Sequence, residues 1–136
     1  MTGLNVRWIG KILKGSSAVK CFNREMSGKE KCEYRHSGIQ FIPTHQIVGS
    51  VGRAHELDNQ FRFQGRQWSD RHRRIEQSIR TGKPMEPIQV LMLSRNGYEP
   101  EYFVVDGHHR VALAKRYKFN AMNADVTEVV ILSATS

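Results

Sequence analysis

Five consecutive residues, Asp106-Gly107-His108-His109-Arg110, place a carboxylate, a glycine, two imidazoles and a guanidinium in one short segment. The segment follows the apolar run Tyr102-Phe103-Val104-Val105 and precedes Val111-Ala112-Leu113-Ala114, so the spacing predicts a strand, a glycine turn and the start of a helix. The first N–H groups of a helix have no intrahelical partners and sit at the positive end of its dipole, which suits an anion. Arg110 adds a planar fork matched to phosphate or carboxylate, and His108 and His109 can donate, accept or titrate near neutral pH. A purely structural reading uses the same residues differently. Gly107 then supplies a positive-φ turn, Asp106 caps the helix, and the histidines pack half-buried with satisfied ring nitrogens.

A second loop, Gly49-Ser50-Val51-Gly52-Arg53, has two glycines around a serine and a basic end. Such a loop allows close approach to a ligand and equally serves as a plain connection. Lys and Arg outnumber Asp and Glu by 21 to 13, a net charge of +8, which attracts polyanions such as nucleic acid or phosphorylated ligands without specifying one. The charge gathers in the stretch before Arg35 and again at Arg62, Arg66, Arg71, Arg73, Arg74, Arg80 and Lys83, where the alternative is a solvated face. Cys21 and Cys32 with His36 are too few, and too widely spaced, for a typical zinc site, so no metal is expected and the cysteines are read as reduced.

The elements that must position these groups follow from periodicity. The 136 residues fit one domain, with no apolar run of membrane-spanning length and no secretory signal, so a cytoplasmic protein without membrane contact is expected. Residues 1–38 read as an extension, with Val6, Ile9 and Leu13 at helical spacing beside Trp8 and Ile12, and the domain proper spans residues 39–132. Ile39 to Pro43 alternates as a strand, and Gln46-Ile47-Val48 is a short turn or strand. Ser69 is placed to cap a helix running to about Thr81, carrying Ile75 and Ile79, with an outer face of Arg73, Glu76, Gln77 and Arg80 and a stop at Gly82 and Pro84. Pro87 to Leu93 and Tyr102 to Val105 read as strands paired in a hairpin, with Asn96-Gly97 at a turn between them. A helix to about Tyr117 and a final strand from Asn123 to Leu132 complete a small α+β domain with a mixed sheet and packed helices.

Between residues 39 and 130 this pattern resembles the ParB/sulfiredoxin superfamily, which contains chromosome-partitioning ParB proteins, sulfiredoxins and free serine kinases. Three stretches carry the likeness: Ile42-Pro43 through Ile47 to Arg53; Arg73 to Val90 with Ile75, Ile79, Gly82, Pro87 and Ile88; and Val105 to Arg110 with its following helix. The resemblance implies a ParB/sulfiredoxin-like fold. In the ParB branch the equivalent turn has a glycine, two further residues and an arginine, and holds a nucleoside triphosphate in a clamp that controls DNA loading. Gly107 and Arg110 match that pattern, His108 and His109 replace its acidic and basic middle residues, and Arg53 looks like the arginine closing the branch's first loop. The chain ends soon after the last strand, so operator reading by a following helix-turn-helix is not expected.

Sulfiredoxins carry a nucleophilic cysteine where His108 stands, with the histidine-arginine pair matched by His109-Arg110, so their thiol chemistry cannot run on this turn. Free serine kinases are similar at the turn itself, where Asp-Gly-His-His-Arg also occurs. Their essential glutamate falls here within Gly49 to Gly52, which is not acidic, leaving Glu56 as a displaced candidate base; their separate substrate lobe has no counterpart.

The resemblance thus implies a stand-alone ParB-like domain whose nucleotide-binding residues are Asp106, Gly107, His108, His109, Arg110, Ser50, Gly52 and Arg53. The expected ligand is a nucleoside di- or triphosphate (ATP, ADP or CTP), with Mg²⁺ where turnover occurs. The basic face of Arg66, Arg71, Arg73, Arg74 and Arg80 is the expected DNA contact. The alternative is a nucleotide-dependent kinase of a small hydroxyl compound, with Glu56, His108 and His109 as catalytic candidates. A nuclease, ranked third, would need Asp106, Glu56 and Asp58 to gather as metal-binding carboxylates.

Overall fold

The two apolar runs on either side of Asn96-Gly97 do pair antiparallel, and the sheet is built outward from them. The computed structural model describes residues 19–26, 31–63, 70–95 and 97–132, with side chains of residues 70–72 outside that description. In chain order these form β1 (Lys20–Cys21), α1 (Phe22–Met26), β2 (Lys31–Pro43), β3 (Ile47–Ser50), α2 (Asp70–Arg80), β4 (Ile88–Leu93), β5 (Glu101–Asp106), α3 (His108–Arg116) and β6 (Ala121–Leu132). Single 3-10 turns, Thr44–Gln46 and Ala54–Glu56, flank β3. The six strands make one mixed sheet in the order β1-β3-β5-β4-β6-β2. β1 with β3, β3 with β5, and β4 with β6 are parallel; β4 with β5 and β2 with β6 are antiparallel.

Alternation along the strands divides the core in two. On one face α3 packs Val111, Ala112 and Ala114 against Ile42, Ile47, Ile88, Val90, Val104, Ala124 and Val126. On the other, α1 contributes Phe22 and Met26 to a smaller cluster with Leu93, Phe103 and Val129, and the Phe22 and Phe103 rings meet edge to face at 5.3 Å. β5 sits between them, so Val104 belongs to the first cluster and Phe103 to the second, as the two-residue period of a strand requires.

Three boundaries differ from the periodicity reading. The first long strand starts at Lys31 instead of Ile39, because Lys31 to His36 pair with Leu132 to Thr127 before a bulge at His36/Gly38 resets the register. Gly38, the expected end of the extension, therefore lies inside a strand, and residues 20–26 add β1 to the same sheet and α1 to one of its faces. The third helix starts at His108, not Val111: Gly107 is its N-cap and the Val111 N–H already donates to the Gly107 carbonyl at 3.0 Å. Gly82 ends α2 as expected, with φ of +84° and its N–H on the Ile79 carbonyl. The cap expected at Ser69 and the amphipathic run from Val6 to Leu13 lie outside the described residues. Among the described residues no helix is long and apolar enough to cross a membrane.

Candidate functional site at the β5–α3 turn

β3 and β5 run parallel side by side, so the loop leaving β3 and the turn leaving β5 emerge at the same end of the sheet. This brings Ser50, Arg53 and Glu56 to His108 and His109. Gly107 makes the turn possible in two ways. Its φ of +109° is left-handed, and a Cβ there would stand 2.6 Å from Ile88 Cγ2. Asp106, the cap of the purely structural reading, is exposed, and α3 is capped by Gly107 with no side-chain hydrogen bond.

His108 points inward. It is 5 % exposed, and its Nε2 is 2.8 Å from the hydroxyl of Ser50, itself wholly buried. Burial, and then the positive charge of Arg53, push its pKa from 6.5 down to about 4; the Asp106 and Glu56 carboxylates pull upward and are outweighed. His108 is therefore neutral at neutral pH. Ser50 was expected on a phosphate; in this fold its hydroxyl is committed to His108 and shielded from solvent.

Arg110 is likewise turned inward. Its Nη1 donates to the carbonyls of Glu86 and Pro87, both at 3.0 Å, and its Nη2 is 3.8 Å from Asp106 Oδ2. The side chain expected to grip phosphate instead ties the entrance of β4 to the head of α3. Arg53 is an exposed cation at this end, and its Nε and Nη2 donate to Glu56 at 3.3 Å and 2.9 Å. Its guanidinium lies 4.5 Å from the centre of the Phe63 ring. The same ring is 5.1 Å from the His109 ring and 5.9 Å from the His108 ring, so Phe63 links the arginine to both histidines.

The sequence reading missed Phe63. It is carried by a tight loop in which Leu57 bridges to Phe63 and Asp58 accepts the N–H groups of Gln60 and Arg62. Phe61 in this loop adopts a left-handed φ of +64°, an uncommon conformation for an aromatic residue, and is held by burial and by Lys115 of α3, 5.3 Å from its ring. The signal available was the alternating Leu57…Phe61-Arg62-Phe63 pattern, but no periodicity ties a loop aromatic to a distant turn. Gly49, one of the glycines expected at a ligand, fits the fold: a Cβ there would meet Phe103 Cδ2 at 2.4 Å and the Lys20 carbonyl at 2.6 Å. Gly52 stands exposed in the turn before Arg53.

Asp58 is engaged within its own loop, and among the described residues no three His, Cys, Asp or Glu side chains gather as metal ligands, so the carboxylates considered for a nuclease do not form such a group. Cys21, remote from the turn in sequence, lies in register with Ser50 across β1 and β3. On α2, Arg73, Arg74, Gln77 and Arg80 are exposed along one face, with Arg80 3.8 Å from Glu76. Arg66 and the side chain of Arg71 lie outside the described residues. No protein-family profile matches the chain, and a search of curated proteins finds no match.

Proposed function

We propose that this protein binds the phosphates of a nucleotide at the β5–α3 turn and contacts nucleic acid through the exposed arginines of α2, on a ParB/sulfiredoxin-like scaffold. The observation that carries the reading is the start of α3, capped by Gly107 with no side-chain hydrogen bond, beside the exposed guanidinium of Arg53, the two joined through Phe63. The start of α3 supplies the fixed positive end of a helix dipole. Arg53 supplies charge that can reach solvent, and His109, half-buried at the rim, supplies a ring donor. Arg110 and Ser50 support the site from behind.

Isothermal titration with ATP, ADP, CTP and GTP tests the first part. A measurable Kd is expected for at least one of them, and Arg53→Ala is expected to weaken it about 10- to 100-fold, the range for a charge-assisted hydrogen bond. Absence of binding to all four overturns the reading. A second reading, phosphoryl transfer to a small hydroxyl compound, is favoured by one feature: Glu56 is a carboxylate within this cluster. Glu56→Gln separates the two. A kinase loses turnover, whereas a binding module keeps its affinity or tightens, because the carboxylate paired with Arg53 no longer competes with phosphate.

A further inference from the structure

We propose that the outer edge of β2 pairs with the same edge of a second copy of this chain, antiparallel about a two-fold axis at Tyr34. β2 runs 13 residues at one end of the sheet order, and among the described residues it has a strand neighbour on one side only. Among the described residues the strand at the opposite end is the two-residue β1, which offers little edge. A long strand edge presents a row of backbone donors and acceptors to another chain. Tyr34, Ile39 and Phe41 lie along it and are 57 %, 65 % and 73 % exposed. Their β6 partners are Val129, Asp125 and Asn123, all odd-numbered, so the bulge at His36/Gly38 keeps the three on one face.

Charge and regularity select the partner and the register. Lys31 to His36 is unbroken strand, whereas the segment beyond is bounded by the bulge at one end and Pro43 at the other. Antiparallel pairing centred on Tyr34 sets Tyr34 against its own copy and Glu33 against Arg35 of the second chain, twice over by symmetry. Within one chain Glu33 and Arg35 already approach at 3.3 Å, both side chains more than half exposed, so pairing turns two ion pairs into a square of alternating charge. A self-complementary strand of this kind fits another copy of itself better than an unrelated edge.

Sedimentation equilibrium over a range of protein concentrations, with charge-reversal variants, tests the proposal. Wild type is expected to dimerise reversibly, and Glu33→Arg and Arg35→Glu are each expected to weaken association about tenfold by setting like charges opposite. Mixing the two single variants restores association, because every facing pair is then attractive, and the double variant restores it alone. In a Cys21→Ser, Cys32→Ser background, oxidised Tyr34→Cys links two chains, since facing residues fall within disulfide reach. A wild type that stays monomeric, single variants that dimerise unchanged, a mixture that fails to associate, or cross-linking through Gln40→Cys in place of Tyr34→Cys would each overturn it.

Discussion

Burial holds His108 neutral, and that has a measurable consequence for stability. Its pKa is lowered from 6.5 in the unfolded chain to about 4 in the fold, so the unfolded state takes up the proton first as pH falls. The contribution is fully present above about pH 6.5 and is lost as pH falls through that value to about 4, at most about 3 kcal/mol. Urea unfolding followed between pH 7.5 and 4 is expected to show this loss in wild type, and the wild-type-minus-variant difference for His108→Asn isolates it from the carboxylates. Arg110 makes the opposite point, that a side chain suited to a ligand can be consumed by the fold. Arg110→Ala strips the Glu86 and Pro87 carbonyls of a charged donor and is expected to cost about 1–3 kcal/mol in ligand-free protein. If Arg110→Ala instead leaves the urea midpoint unchanged while abolishing nucleotide binding, the guanidinium acts on the ligand.

At the scale of elements, the β5–α3 turn and the Leu57–Phe63 loop hold the candidate site together from two sides. Gly107→Ala forces a Cβ against Ile88 in a left-handed backbone. A loss of at least about 2 kcal/mol is expected, read as a lower thermal midpoint with weaker nucleotide binding. Phe63→Ala removes the ring shared by Arg53, His108 and His109 and is expected to cost about 3 kcal/mol or more, as for other large core truncations. The strand, glycine turn and helix around residue 107 were legible because each is encoded within a few neighbouring residues. The head of α3 was misplaced by a turn, since two histidines and an arginine carry no apolar periodicity although Gly107 can cap them. The first half of β2 was missed for a similar reason: Glu33, Tyr34, Arg35 and His36 are all exposed on a sheet edge and show no inward alternation.

For the whole molecule, the sequence carries an excess of eight positive charges, and part of it is gathered on one exposed face of α2. Arg73, Arg74 and Arg80 share the exposed face of α2, with Arg80 beside Glu76, and at the β5–α3 turn Arg53 is paired with Glu56 and Arg110 is turned inward. Nucleic-acid affinity measured against salt is expected to fall linearly on a log–log plot. Arg73→Ala and Arg80→Ala are each expected to reduce the slope by about one, with no dependence on base sequence. Affinity unaffected by salt, or by both substitutions, would remove α2 as the contact.

The amino-acid order by itself determined the chemistry available at Asp106 to Arg110, the strand–turn–helix succession, the hairpin of β4 and β5, and the basic face of α2. All depend on local period, turn chemistry or composition. Tertiary structure decided how those groups are used. Ser50 and His108 are 58 residues apart in the chain, Arg110 and the Glu86 carbonyl 24, and Cys21 meets Ser50 only through the pairing of β1 with β3. Sheet order decides which distant residues become neighbours, and burial then decides which of them face a ligand and which are satisfied within the protein.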